Sequence, residues 1–275
     1  MGKMPDAMQP PSKIDSILSS INEKLPALSR AVIERHLDTT QPENRAFLQC
    51  PDDHNQHQTQ WHQWGIITHT RVFLRVFDRD VPAYLHAWGV WDAVDRVLSD
   101  HVDGLTRWQL LHVSILLHDI GKFGARTRDA HGFHFAGHES LSGRLIREEL
   151  QLDQFGLTGP QIAYVARTAE DHFLLGLLRK RARQQGAFSL EFTQRQPFIE
   201  DVRRIKAEHP DDFIEVGVLF LGDSLAKAEP HAGPDRAVSQ NEVNVAFARR
   251  YLELTVGKEP LDMKAPAQND CPHRV

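Results

Sequence analysis

The chain has 275 residues, a formal net charge of −5 and 41% apolar residues. That is enough for one large or two small domains with a buried core, and the acidic balance excludes nucleic-acid binding driven by bulk charge. No apolar run approaches the ~18 residues needed to cross a bilayer. The start MGKMPDAMQPPSK is polar and proline-rich, unlike a secretion signal. The only two cysteines, Cys50 and Cys271, argue against a disulfide framework and for a reducing cytoplasm.

Helical periodicity dominates the chain. Residues 13–25 carry Ile14, Ile17, Leu18, Ile21 and Leu25 on one stripe, and Pro26 suits a fresh helix start running to about His36. Residues 38–64 read as a polar loop. Helices are predicted over 65–79, over 82–100 with a kink near Gly89, and over 105–120 with Thr106 as N-cap and Gly121 as stop. A glycine-punctuated loop covers 121–137, and helices follow at 138–150 and 160–175, the latter led by Thr158 and Pro160. The basic, glutamine-rich stretch 179–195 reads as loop. Helices are then predicted at 197–208, at 211–228 with Pro210 before it, and at 240–255, with a loose tail from about 258. No strand alternation or internal repeat emerges. The fold class is all-α: an N-terminal helical extension and loop over 1–56, one helical domain over 57–257, and the tail over 258–275.

The sixteen histidines are the compositional outlier. The helix ending in LLHDIGK (116–122) is apolar nearly all round, so it should be buried. His118 and Asp119 point about 100° apart at its C-terminal end. A buried carboxylate is costly unless it is paired or binds a metal. One His-Asp step cannot hold a catalytic ion alone. Partners with the same character, polar side chains on helices that should be buried, are His69, His138, His172 and Asp223. Four imidazoles and two carboxylates suit two transition metals, with Asp119 as a bridge. Two ions about 3.5–4 Å apart can clamp both oxygens of a phosphoryl displacement. Lys122 adds a positive charge near the mouth.

The order H…HD…H…H…D, with HDIGK at its centre, resembles the HD-domain metal-dependent phosphohydrolase superfamily over roughly residues 60–228. WHQWGIITHT (61–70) looks like the YHPEGDVxxHT segment that opens the HD domain of bacterial tRNA nucleotidyltransferases, and HFAGHESLSGRLI (134–146) looks like their FxxHExxGA segment. Gln63-Trp64 stands in place of Pro-Glu, and Ser142 where Ala or Gly is typical. No nucleotidyltransferase strand motif precedes this region. The resemblance therefore implies a stand-alone HD-domain helical bundle that binds two divalent transition metals (Mn, Fe, Ni, Co or Mg) through His69, His118, Asp119, His138, His172 and Asp223. The expected activity is hydrolysis of a nucleotide, or of another small phosphomonoester or cyclic phosphodiester, by a metal-activated hydroxide, with Asp119 and Lys122 as catalytic residues. Two other readings share these ligands: an HD-type di-iron oxygenase, and a non-catalytic, metal-stabilised nucleotide-binding module. The expected partner is a small phosphorylated molecule; no membrane is involved, nucleic acid is not favoured, and there is room for a homodimer.

The neighbouring residues divide as follows. His112 reads as core or as support for a ligand. Either His131 or His134 could act as general acid toward a leaving oxygen. Arg126 and Arg128 are read equally as phosphate contacts and as solvated loop. His54, His57 and His62 are expected at solvent, although His62 matches the family's YH. Trp61, Trp64, Trp88, Trp91 and Trp108 are expected to pack in the core, and RKRARQQ (179–185) to be a solvated loop.

Overall fold

The computed structural model describes residues 12–184, 190–228 and 236–258. The expected loose tail, apart from Lys258, lies outside the described residues. The chain is mostly helical, as its periodicity predicts. The first helices are α1 (Lys13–His36), α2 (Pro42–Gln49), α3 (Ile66–Arg79), α4 (Val81–Ala87) and α5 (Trp91–Leu98). A small antiparallel hairpin, β1 (His101–Val102) with β2 (Leu105–Thr106), leads into α6 (Arg107–Leu117). Then come α7 (Lys122–Ala125), a second hairpin of β3 (Thr127–Asp129) and β4 (Gly132–His134), and α8 (His138–Glu148). The remaining helices are α9 (Gly159–Asp171), α10 (Leu174–Gln184), α11 (Gln196–Glu208), α12 (Phe213–Ala226) and α13 (Arg236–Thr255). Among the described residues, no helix is long and apolar enough to cross a membrane.

α6 and α12 are the central helices. Their residues are buried on nearly every side, from Leu110 to Leu117 in α6 and from Ile214 to Ser224 in α12. α6 packs against α1, α3 and α9, and α12 against α3, α9, α10 and α13. Thr106 caps α6 in a reciprocal box with Gln109, and at the start of α9 Gln161 Oε1 accepts from the backbone N of the N-cap Thr158 at 3.0 Å. Between α6 and α9, Ser114 and Thr168 share a buried hydroxyl–hydroxyl bond of 2.7 Å.

Several boundaries differ from the sequence reading. Pro26 does not start a helix; it lies inside a continuous α1. A proline at that position frees the carbonyl four residues earlier. Here that carbonyl, Asn22 O, accepts from Arg71 Nη2 at 3.2 Å, while Arg71 Nε donates to Asn22 Oδ1 at 2.9 Å. A tertiary contact thus replaces the missing helical bond. The predicted helix over 82–100 is two helices, because Gly89 adopts φ 62° between them. Both predicted loops hold structure: 121–137 contains α7 and the second hairpin, and 38–64 contains α2 and a 3-10 turn at His54–Gln56. The stretch from 179 is also not loop at its start, since α10 runs through Gln184.

The segment between α2 and α3 is tied down along its length. Asp52 accepts from Thr68 N at 2.8 Å and Thr68 Oγ1 at 2.6 Å, capping the first turn of α3 from a distance. The C-terminal carbonyls of α12 are used as well: Lys227 O accepts from Gln63 N at 2.8 Å, and Ala226 O from Trp64 Nε1 at 3.1 Å. The segment therefore lies against the end of the bundle where the candidate ligands meet.

Candidate metal centre

The six side chains singled out in the sequence come from five helical elements and meet at one end of the bundle. His69 sits on α3, His118 caps α6, Asp119 follows it, His138 opens α8, His172 caps α9, and Asp223 lies near the end of α12. All six are buried, none more than 8% exposed.

Asp119 is the hub. Its Oδ2 lies 3.2 Å from His118 Nε2, 4.0 Å from His69 Nε2 and 2.8 Å from Lys122 Nζ. Its Oδ1 lies 3.2 Å from His138 Nε2 and 3.9 Å from His172 Nε2. Asp223 Oδ1 is 2.9 Å from His69 Nε2, and Asp223 Oδ2 is 2.8 Å from Lys227 Nζ.

The imidazoles are oriented from behind. His118 Nδ1 donates to Ile115 O at 2.8 Å, His138 Nδ1 to Phe135 O at 2.8 Å, and His172 Nδ1 to Ala169 O at 2.6 Å. Each bond reaches three residues back along the chain. In α6 and α9 it uses a carbonyl that the helix end leaves unpaired. His69 Nδ1 faces Ala226 O at 3.4 Å. A carbonyl can only accept, so in His118, His138 and His172 these contacts assign a proton to Nδ1 and turn Nε2 toward the carboxylates, whereas the shorter contact of His69 is its Nε2 with Asp223. This is the arrangement in which histidines are held as metal ligands.

The donor set fits a metal. Where Nδ1 holds the proton, Nε2 and the carboxylate oxygens of Asp119 face each other acceptor against acceptor, and such contacts are unfavourable unless a proton or cation lies between them. His118 Nε2 and both oxygens of Asp119 have no aligned hydrogen-bond partner despite full burial. Among these six residues, two groups have donor atoms within 4.8 Å of one another: His69, His118 and Asp223, and His118, Asp119 and His172. They share His118, and His138 approaches the second group from the far side of Asp119.

The electrostatics follow from burial against charge. Burial pushes the Asp119 carboxyl up, but His118 and Lys122 outweigh it and hold it well below the usual carboxylate range. Burial likewise opposes ionisation of Asp223, and Lys227 and His69 reverse it. Burial, aided by neighbouring His118, pushes His172 down to about 3, and burial also lowers His69. His118 alone among these rises, because Asp119 and Asp223 overcome its burial. The centre thus holds ionised carboxylates beside the neutral imidazoles of His69 and His172, the protonation states that ligate metals.

Local backbone explains the HDIGK turn. Gly121 is not in the left-handed region; it permits close approach. A Cβ there would lie 2.1 Å from His138 O and 2.6 Å from Ser142 N. Ser142 Oγ accepts from Gly121 N at 2.9 Å and donates to His118 O at 2.7 Å, stapling the turn to α8. Gly137, at φ 76°, turns the chain so that His138 enters the cluster.

The cluster opens into a cavity of about 520 Å³, with Asp119, Lys122, His138, His172, Asp223 and Lys227 at its floor. Lys122 is buried and held on its other side by His57, whose Nε2 is 3.2 Å from Nζ while its Nδ1 donates to Trp64 O at 3.0 Å.

Other expectations need correction. His57 and His62 are not at solvent: they are 2% and 6% exposed, their rings 4.1 Å apart, and burial lowers both well below the usual imidazole range. Their polar neighbours in the sequence disguised this, and only the YH resemblance pointed to His62. Trp61 lines the cavity instead of packing in the core, and Arg179, Lys180 and Arg183 line it from α10. Arg126 is neither solvated nor in the cavity. It is sandwiched between Phe47 and Phe133 and bonds Asn44, Glu43 O and Gln56. Arg128 is exposed beside Glu43. His112 pairs with Asp78 at 2.6 Å, away from the centre. Of the two candidate acids, His134 lines the cavity; His131 is exposed and outside its lining.

No protein-family model matches the chain, and no curated protein matches it.

Proposed function

We propose that the chain is a metal-dependent phosphohydrolase acting on a nucleotide or other small phosphate ester. The observation that carries this reading is the convergence of four imidazole Nε2 atoms and two ionised carboxylates on one buried point beside two lysines. The resemblance of the H…HD…H…H…D order to the HD superfamily supports it. His69, His118, Asp119 and Asp223 would hold one divalent ion; Asp119, His138 and His172 would hold a second. Bound there, such ions lower the pKa of a coordinated water and polarise a phosphoryl oxygen.

The chain's own groups supply the rest. Asp119 and Asp223 are each neutralised by a lysine, so added metal leaves the cavity positive and suited to a phosphate. Lys122, gripped between Asp119 and His57, presents an ammonium that stabilises phosphoryl oxygens as charge builds. His134, which lines the cavity with its Nε2 2.9 Å from Asp129 Oδ1, gives a proton to the leaving oxygen.

The test is metal content per chain, by elemental mass spectrometry on protein purified without chelator, followed by a phosphatase panel with O₂ uptake as control. About two equivalents with phosphate release, both lost in Asp119→Ala, is the expected result. O₂ consumption with iron would replace hydrolysis by oxygenase chemistry. Ligand binding without turnover under every metal would leave a binding module.

A further inference from the structure

One wall of the cavity is made by α10, which begins just after His172 and runs outward. Gly176, Arg179, Lys180 and Arg183 all line it. Their spacing of three, four and seven residues is one helical stripe. At 1.5 Å per residue the stripe covers about 10 Å, from beside the candidate ligands to the mouth.

Arg179 on this stripe is held differently from the cations at the floor. Lys122 and Lys227 each touch a carboxylate of the metal cluster. Arg179 instead donates to a neutral group, Asn244 Oδ1, at 2.9 Å. Its guanidinium lies 5.7 Å from the centre of the Trp61 ring, and that of Arg183 lies 5.3 Å from the same ring. Two like charges thus share one indole, with Lys180 exposed beside them. Burial and the adjacent Arg183 both lower the Arg179 pKa, with Asp223 opposing. An aromatic face attracts a guanidinium, and the fork of N–H donors on a guanidinium matches the geometry of a phosphate.

We propose that Arg179, Lys180 and Arg183 form a second anion subsite, so that the substrate carries a further phosphate beyond the one placed over Asp119. The ligand class is a small polyphosphorylated molecule. A cavity of about 520 Å³ is the size that encloses a small ligand rather than a strand. Half-exposed Leu177 and the ring of Phe173, also in the lining, offer an apolar surface to its organic part. The cleaved group rests on the phosphohydrolase reading; the subsite does not.

The experiment is calorimetric titration of the full-length, metal-stripped chain with tripolyphosphate and with orthophosphate at fixed ionic strength. Tripolyphosphate should bind at least tenfold more tightly. Arg183→Gln and Lys180→Gln, at exposed positions, and Arg179→Gln should each weaken tripolyphosphate about fivefold or more and orthophosphate less than twofold. Equal affinity for the two anions, or tripolyphosphate binding unchanged in Arg179→Gln/Arg183→Gln, overturns the proposal. So does a single-stranded oligonucleotide that binds more tightly than tripolyphosphate and is lost in the same variants. No readout uses turnover. The subsite pattern in a chain that hydrolyses no ester would remove the proposed function alone; ester hydrolysis without the pattern would remove the subsite alone.

Discussion

Gly121→Ala tests the geometry of the HDIGK turn without replacing a candidate ligand. The added Cβ would meet His138 O at 2.1 Å, Ser142 N at 2.6 Å and Ser142 Oγ at 2.8 Å. Ordinary contact starts near 3.4 Å, so the first turn of α8 must retreat by roughly 1.3 Å. Two of the three atoms are backbone, and no rotamer change relieves them. Overpacking of this kind costs about 3 kcal/mol, the upper part of its usual range. For a domain of this size that lowers Tm by about 6–12 °C. The retreat also carries His138 away from Asp119 Oδ1, now 3.2 Å away, and strips the staple that Ser142 makes to the turn. Metal affinity should fall about 10–100-fold, as when support behind a ligand is lost. Thermal unfolding of metal-free protein reads the first effect, and metal titration reads the second. A variant within 1–2 °C of the wild type that also keeps its metal affinity would refute the close-approach account of Gly121.

Ser142→Ala leaves the buried Gly121 N–H and His118 carbonyl unpaired, so stability should drop by about 1–3 kcal/mol in chemical denaturation; no change would mean the staple is not needed. Adding manganese to chelated protein at about 100 times its Kd should stabilise it by about 2.7 kcal/mol and raise Tm by about 5–11 °C, an effect absent in Asp119→Ala. A stability slope with pH should come from Asp212, buried near Asp171 and Arg167, whose carboxyl is raised to about 8 by burial and then by Asp171. The unfolded carboxyl releases its proton near pH 4 and the folded one near pH 8, so this group's contribution is present below pH 4 and is lost as pH rises to about 8. Asp212→Asn lacks that slope, so its Tm should gain on the wild type between pH 5 and 8; a difference independent of pH would count against the raised carboxyl.

The candidate centre was legible in the sequence because burying a charge is costly. His118, Asp119 and Asp223 interrupt apolar helices, and a polar side chain on such a helix needs a partner or an ion. Helix positions were legible from periodicity and from local caps such as Thr106 and Thr158. What escaped was decided by contacts distant in sequence. Pro26 stays helical because Arg71, on another helix, takes over the freed carbonyl. His57 and His62 leave solvent because Asp52 and the end of α12 pin their segment to the bundle. The basic run after His172 reads as loop by composition, although Leu, Arg, Lys, Gln and Ala are all good helix formers, and only the packed bundle turns Arg179 and Arg183 toward the same cavity as Asp119. Which residues must be buried follows from the apolar pattern of the chain. Which of its polar residues face one another depends on how the helices cross, because a local sequence sets the period of a helix but not the neighbour against which it packs.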